Sequence, residues 1–232
     1  MVVGSGLAVF LAACQAPQGG PQDVPSTAVA PNPASTSQAP PSRTPAPDPM
    51  ASAPASGTAS PPALSAEEQA QLDQELIAAA KANNAPLVKE LISRGGNVNA
   101  KDSIQDSAFL YAGAEGFNEV LQLTLAAGAD VASINRYGGT ALIPASEHGH
   151  VETVRILIAA GVPVNHVNNL GWTAMQEAIL LNDGGPRQQE VVRLLLEAGA
   201  NPDIRDPEGR TALQNAERLG FGEIAALIRA GG

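Results

Sequence analysis

The side chains best suited to chemistry in this sequence are three histidines and one cysteine. His148 and His150 flank a glycine, and together with His166 and Glu147 they would make a conceivable metal site, because imidazole and carboxylate groups are common metal ligands. The sequence has no HExxH or CxxC pattern and no glycine pattern typical of phosphate or dinucleotide binding. We therefore expect no catalysis, no metal and no cofactor. An enzyme that uses these histidines is kept as the third of three hypotheses.

The cysteine, Cys14, follows a short apolar segment, residues 1–13. The tetrapeptide Leu-Ala-Ala-Cys at 11–14 resembles the lipobox of bacterial lipoprotein precursors, in which the cysteine becomes the lipid-modified first residue. A lone thiol cannot form an internal disulfide, and the segment is too short to span a membrane. No Lys or Arg precedes it, unlike in an ordinary signal peptide. The resemblance implies a signal peptide and, because Gln15 rather than Asp follows, sorting to the outer membrane; the alternative is a frayed terminus with an incidental cysteine.

Residues 15–64 differ in composition from the rest of the chain. They contain 13 of the 19 prolines and no aromatic residue. Such a segment cannot bury enough apolar surface to offset the ordering of its backbone, so we expect residues 14–64 to form a disordered, partly polyproline spacer. A Pro-rich ligand for another domain, around residues 44–47, is the alternative. The S-x-x-E pattern of residues 65–68 predicts a capping box and the start of the ordered domain.

From there to the end of the chain, one pattern recurs every 33 residues. A large apolar residue is followed by an alanine three positions later, at Leu76/Ala79, Phe109/Ala112, Leu142/Ala145 and Met175/Ala178. In the clearest unit, Thr140 is predicted to be a helix N-cap, and Gly149 and Gly161 are predicted to end the two helices in left-handed conformation. A single helix pair cannot bury its apolar stripe, so the units are expected to stack on one another.

A 33-residue period of helix, turn and helix resembles the ankyrin repeat family. The family's TPLHxA motif is present in changed form as SAFLYA (107–112), TALIPA (140–145), TAMQEA (173–178) and TALQNA (211–216). The resemblance covers roughly residues 65–232 and implies an all-α solenoid of about five helix–turn–helix repeats joined by short β-hairpins. It also implies that His150 serves a turn between helices rather than a metal.

Two departures from the period are informative. The step after Met175 is 38 residues, and residues 183–186 are predicted to form a protruding turn that contains the five-residue insertion. Insertions of this kind often lie on the binding face of repeat proteins, although a tolerated surface loop is an equal alternative. In the second repeat, Gln105 occupies a position where the family prefers glycine, which predicts a looser turn.

The charge of the predicted domain argues against nucleic acid as a partner. Residues 65–232 contain 12 basic and 21 acidic residues, a net charge of −9. Nucleic-acid binding normally needs a basic face, and no run of Lys or Arg occurs along the predicted helices.

Large side chains at the predicted turns are the best candidates for a binding surface. Turn tips are too exposed to need an aromatic or aliphatic residue for a core, and aromatic residues and arginines are frequent interaction hot spots. The candidates for partner binding are Arg136, Tyr137, Leu170, Trp172 and Arg210 at or beside the turn tips, Tyr111 at a first-helix position that often faces the inner groove, and Arg187 in the 182–188 loop. The alternative for Trp172 is that it lies flat across the neighbouring turn and only stabilises the stack.

The sequence therefore predicts a non-catalytic, monomeric protein-binding module in the bacterial cell envelope. Its partner is an unidentified protein, and it contacts the membrane only through the lipid on Cys14, as an outer-membrane lipoprotein that faces the periplasm. The second hypothesis is a periplasmic receptor for a small molecule or peptide, with a pocket formed by the 182–188 loop and with Trp172 and Arg187 as anchors.

Overall fold

The computed structural model describes residues 64–231, which contain ten helices. Residues 1–63, including the predicted signal peptide, Cys14 and almost the whole spacer, lie outside the described residues. The helices are α1 (Ala66–Lys81), α2 (Ala85–Ser93), α3 (Ala108–Glu115), α4 (Asn118–Ala126), α5 (Leu142–Glu147), α6 (Val151–Ala159), α7 (Ala174–Leu180), α8 (Pro186–Glu197), α9 (Ala212–Leu219) and α10 (Gly222–Gly231). Among them, none is both long enough and apolar enough to cross a bilayer.

The ten helices form five pairs that stack in chain order. The first helices, α1, α3, α5, α7 and α9, each contact the next one in the series, and the second helices, α2, α4, α6, α8 and α10, do the same in a second layer. Each first helix also packs against the second helix of its own repeat. This arrangement confirms the predicted all-α solenoid.

The core lies between the two layers, at the positions that the 33-residue period identifies. Leu76, Phe109 and Leu142 are fully buried, and the alanines three positions later are buried as well. Small residues let neighbouring first helices approach closely. A Cβ atom added to Gly113 of α3 would lie only 2.7 Å from the Cβ of Ala141, so the packing has no room for a larger residue there.

The ends of the helices largely follow the sequence. Ser65 and Glu68 form the predicted capping box at the start of α1. The predicted helix-ending glycines have positive φ, including Gly149 at 65° and Gly161 at 84°, and Asn83 takes the same conformation after α1.

The connections between repeats are hairpin turns without strands in residues 64–231. We define the four hairpin turns as residues 102–106, 135–139, 168–172 and 206–210. In each, the first residue's N–H donates to the carbonyl of the fifth at 2.9 Å. One such bond closes a turn but is too little to build a strand, so the expected β-hairpins are present only as turns.

Thr140 is not the helix cap that the sequence predicts. Its hydroxyl is buried without a hydrogen-bond partner in the described residues, whereas the matching Ser107, Thr173 and Thr211 accept the expected backbone N–H. The cause is Pro144, which lacks the N–H that would bond to the Thr140 carbonyl. The N–H of Ile143 donates to that carbonyl instead, at 3.1 Å, and no longer reaches the hydroxyl.

The five-residue insertion in the fourth repeat is not a protruding turn. Five residues, 181–185, separate α7 from α8, against three between α5 and α6, and α8 has 12 residues against nine in α6. The insertion thus adds two residues to the loop and three to the helix. Gly184 is buried, and a Cβ atom on it would lie 2.5 Å from the ring of Phe221, so the loop packs against the fifth repeat.

The turn at Gln105 is as tight as the others. Its N–H donates to the Asp102 carbonyl at 3.0 Å, compared with 2.8–2.9 Å for the glycines at the equivalent positions of the other three turns. Gln105 achieves this with a φ of 67°, a conformation that costs a residue with a Cβ roughly 1–2 kcal/mol. The chain therefore accepts local strain and keeps the turn geometry.

Replacing Gln105 with glycine is expected to stabilise the domain. Relief of the left-handed strain exceeds the extra backbone entropy of glycine, so the free energy of unfolding should rise by about 0.5–1 kcal/mol. The matched control is Gly209→Gln, because Gly209 has a φ of 77° and open space around its missing Cβ. That variant should lose about 1 kcal/mol in urea denaturation. Equal stability of the native protein and the Gln105→Gly variant would contradict the argument.

Candidate binding groove

A groove of about 380 Å³ runs across the second, third and fourth repeats. We call it the central groove; its walls are the first three hairpin turns and the inner helices α3, α5 and α7. The larger apolar and aromatic residues of its lining are Leu110, Tyr111, Tyr137, Ile143, Leu170 and Leu181. Its acidic side chains are Asp106, Glu115, Glu147 and Glu177. The fifth repeat, which the sequence analysis included in the binding face, does not line it.

One side chain in each hairpin turn fixes the shape of the wall. The Oδ1 of Asn135 accepts the N–H groups of Tyr137 and Gly139 at 2.9 and 3.0 Å. The Oδ1 of Asn168 accepts those of Leu170 and Trp172, both at 3.0 Å. Such Asx turns hold the tip residues in a defined conformation. The sequence contains the signal for these turns, because Asp or Asn stands at 102, 135, 168 and 206.

Adjacent turns are also bonded to each other. The N–H of Asn169 donates to the carbonyl of Tyr137 at 2.9 Å. Tyr137 and Leu170 therefore lie side by side, and about half of each residue is exposed.

Glu177 is the most unusual ionisable group in the groove. Only 6% of it is exposed, and the Nδ2 of Asn168 donates to its Oε1 at 2.7 Å. Burial, followed by the neighbouring Glu147 carboxylate, raises its pKa to about 7, against the opposing effects of Asn168 and His148. Glu177 could not be identified from the sequence, because the neighbouring Glu147 belongs to another repeat.

Arg136 is the arginine that lines the groove, and its guanidinium group already has partners within the chain. Its guanidinium forms an ion pair with Asp106 and stands 4.7 Å from the centre of the Tyr137 ring. Burial raises the pKa of Asp106, and the charge of Arg136 opposes that rise. Arg136 thus links the second hairpin turn to the first.

The predicted binding residues fall into two groups. Tyr111, Arg136, Tyr137 and Leu170 line the central groove, and the phenol of Tyr111 is held by a 3.0 Å hydrogen bond to Asp102. Trp172, Arg187 and Arg210 do not line it. Whether any of the seven contacts a partner stays a prediction.

The three residues outside the groove have other surroundings. Trp172 is partly buried, and its indole N–H has no partner among the described residues. The guanidinium of Arg210 bonds to Asn215 at 2.9 Å and to Glu208 at 3.2 Å. Arg187 lies in the first turn of α8, next to a loop that packs onto its neighbours.

The 182–188 loop makes hydrogen bonds that join two repeats. The Nδ2 of Asn182 donates to the carbonyl of Glu147 at 2.7 Å, and the Nε2 of Gln188 donates to the Oδ1 of Asn182 at 3.0 Å. The loop therefore closes the gap between the third and fourth repeats. The central groove reaches Leu181, next to this loop, but no residue of 182–188 lines it, so it is not the pocket that the second hypothesis placed at this loop.

Each of the three histidines lies close to the backbone of another part of the chain. The Nδ1 of His148 is 2.9 Å from the carbonyl of Ala114, and the Nε2 of His166 is 2.6 Å from that of Gly138. His150 packs against Gly116, and burial, followed by the nearby His148, lowers its pKa. Residues 64–231 contain no group of three His, Cys, Asp or Glu side chains that could hold a metal ion.

The fold and the groove together define a class of protein, a helical repeat solenoid with a groove along its inner helices and turns. The family model described as ankyrin repeats (3 copies) matches residues 76–167 and 109–206. The chain therefore belongs to the ankyrin repeat family, whose members are in general non-catalytic modules for protein–protein interaction.

Bacterial relatives support this assignment. The chain is 42% identical over 146 residues to the ankyrin repeat protein YahD of Escherichia coli K12, a match that covers 62% of this chain and 73% of YahD. An ankyrin repeat domain from Acinetobacter baumannii AYE is 58% identical, with a TM-score of 0.67 and coverage of 68% and 80%. The ankyrin repeat protein EF0377 is 41% identical, with a TM-score of 0.64 and coverage of 66% and 78%.

Replacement of Glu177 by glutamine is expected to change how stability depends on pH. A carboxyl group with a raised pKa binds protons more tightly in the folded chain, so its ionisation lowers stability as pH rises. For Glu177 this window runs from the ordinary value of 4.5 to about 7. Between about pH 5 and pH 8, the native protein should lose about 2 kcal/mol of unfolding free energy relative to the Glu177→Gln variant, after allowance for screening at the groove mouth.

Urea denaturation of both proteins at each pH measures this difference. Glutamine keeps an oxygen that can accept the N–H of Asn168, so the variant should fold normally. Glu223→Gln, at an exposed glutamate of α10, is the matched control and should track the native protein at both pH values. If the unfolding free energy of the Glu177→Gln variant depends on pH as that of the native protein does, Glu177 does not have a raised pKa.

Proposed function

We propose that this protein is a non-catalytic recognition module that binds another protein through the central groove and its rim. The observation that carries the proposal is the pair of large apolar side chains at the rim, Tyr137 with 52% and Leu170 with 51% of its surface exposed. Neither is needed for the core. Aromatic and aliphatic groups held on a rigid surface are typical anchors of protein interfaces.

The rigidity of the rim supports this function. Side chains on mobile loops lose entropy when a partner orders them, whereas the Asx turns and the bond between adjacent turns have already fixed Tyr137 and Leu170. The ion pair of Arg136 with Asp106 fixes the arginine in the same way. A partner therefore gains contact area at a low entropic cost.

The location is a second part of the proposal. We place the protein in the cell envelope as a monomer, tethered to the outer membrane by a lipid on Cys14 and facing the periplasm. The lipobox-like residues 11–14 and the proline-rich composition of residues 15–64 support it. A spacer of that length would reach roughly 150 Å as a continuous polyproline helix.

A receptor for a small molecule is the second candidate. The groove volume of about 380 Å³ favours it, because ligand pockets of roughly 300–1,000 Å³ are common. The exposed rim favours a protein instead, because a molecule that fills only the groove leaves Tyr137 and Leu170 uncovered.

Removal of the rim anchors is expected to abolish partner capture. Crosslinking in intact cells, followed by affinity purification and quantitative mass spectrometry, compares the native protein with a Tyr137→Ala, Leu170→Ala double variant. The partner's affinity should fall at least about 30-fold, which corresponds to roughly 2 kcal/mol, and the melting temperature should stay within about 2 °C.

The matched control is Leu87→Ala, which removes an exposed leucine from α2 in the second layer. It should capture the same partner as the native protein. If the double variant and the control capture the partner equally, the groove rim is not the interface.

Substitution of Cys14 by serine is expected to release the protein from membranes. Without a thiol no thioether-linked lipid can form, so the variant should move from the detergent-extracted membrane fraction to the soluble periplasmic fraction. Labelling with a fatty-acid analogue should mark the native protein and not the variant. Equal labelling or equal membrane association of the two would refute the tether.

A further inference from the structure

The central groove has an excess of negative charge that the described residues do not neutralise. Three of its carboxylates, Glu115, Glu147 and Glu177, form no ion pair within residues 64–231. The groove's arginine, Arg136, is already paired with Asp106 and stacked on Tyr137. Besides Arg136, His148 is the one residue of the described groove lining that can carry a positive charge, against these three carboxyl groups.

The positions of the carboxylates strengthen the effect of this excess negative charge. Glu177 lies at the floor, almost inaccessible, with one oxygen bonded to Asn168 and with Glu147 as a like-charged neighbour. A charge at a desolvated site interacts more strongly with a counter-charge than it does at an open surface. A cation that enters the groove would relieve the repulsion between the two glutamates and would gain charge-assisted hydrogen bonds.

The groove is also apolar beyond its acidic floor. Leu181, 47% exposed, and Leu170, 51% exposed, lie on its fourth-repeat side, and Tyr137 lies on its third-repeat side. A free inorganic cation would leave these side chains in water. A ligand that carries a cationic group next to apolar groups covers both parts of the surface.

The groove also offers a hydrogen-bond donor in Asn135. The Oδ1 of Asn135 is used by the hairpin turn, but its Nδ2 has no partner within the described residues, because the residue facing it in the motif is Pro144. Asn135 and Pro144 both line the groove. A carbonyl oxygen of a bound backbone would satisfy this amide.

We propose that the central groove binds an arginine or lysine side chain of the partner protein, with the ammonium or guanidinium group between Glu147 and Glu177. Apolar residues next to that side chain pack on Tyr137, Leu170 and Leu181, and a backbone carbonyl accepts the N–H of Asn135. This inference rests on the proposed function and specifies the partner's chemistry. Arginine fits better than lysine, because its planar fork can reach two carboxylates at once.

Oriented peptide libraries test the proposal on the full 232-residue chain. Three libraries of decapeptides share the same random composition and differ only at the central position, which is fixed as Arg, Gln or Glu. Each is passed over the immobilised protein, and the retained fraction is measured. The Arg library should be retained about tenfold more than the Gln library, in line with roughly 1.5–3 kcal/mol for a charged hydrogen bond, and the Glu library least of all.

Two variants assign the preference to the glutamates. Glu177→Gln and Glu147→Gln, each checked for its helical circular dichroism, should reduce retention of the Arg library about tenfold and leave that of the Gln library unchanged. Glu223→Gln keeps the same change in net charge but lies on α10, away from the groove. It should retain the Arg library like the native protein.

The remaining outcomes overturn the inference. Equal retention of the three libraries shows that the groove does not select a cation. An Arg preference that all three variants weaken alike shows non-specific attraction to an acidic protein. Competition by arginine methyl ester as strong as that by the best peptide at equal concentration shows a small-molecule site and not a site for a protein segment.

Failure of this inference can be told apart from failure of the proposed function. If the Tyr137→Ala, Leu170→Ala variant loses the cellular partner but Glu177→Gln and Glu147→Gln keep it, the groove binds proteins without the cation site. If all of these variants keep the partner, the proposed function itself is wrong.

Discussion

Each turn between repeats depends on one side-chain oxygen that accepts backbone N–H groups from the same turn. In the turn at Asp102 that oxygen accepts the N–H groups of Ile104 and Asp106, both at 3.0 Å, and Asn135, Asn168 and Asp206 play the same part in the others. A turn of five residues has too few backbone bonds of its own to keep one shape. The side chain of the Asp or Asn residue supplies the missing hydrogen bonds, and the residues at the tip of the turn are therefore held in a fixed position.

The second polar atom of the same side chain ties the turn to the following inner helix. Asp102 accepts from the Tyr111 hydroxyl at 3.0 Å, Asn168 donates to Glu177 at 2.7 Å, and Asp206 accepts from Asn215 at 2.8 Å. In each pair one side chain donates and the other accepts. The turn residue is Asp where the helix residue donates and Asn where the helix residue accepts. The third repeat is the exception, because proline cannot make the bond and leaves an amide in the groove. The chemistry of the groove is therefore a by-product of the bonds that hold its walls.

The fold was predictable because its signals are local and repeated. The 33-residue spacing identified the helix pairs, and the glycines marked the ends of the helices. The errors were also local. Pro144 removed the cap at Thr140, and Gln105 adopted the left-handed conformation although the sequence suggested a looser turn. The first error comes from a backbone bond that Pro144 cannot donate to Thr140, and the second from the positive φ of Gln105; the 33-residue spacing reveals neither.

The sequence by itself determined the repeat, the pairing of helices and the candidates at the turn tips, since each follows from the type and spacing of nearby residues. Only the tertiary structure decided which of these candidates meet. It brought Tyr111, Arg136, Tyr137 and Leu170 to one groove and left Trp172, Arg187 and Arg210 outside it. It also raised the pKa of the Glu177 carboxyl group. Stacking of the repeats buries this group and brings Glu147, about 30 residues away in the sequence, next to it.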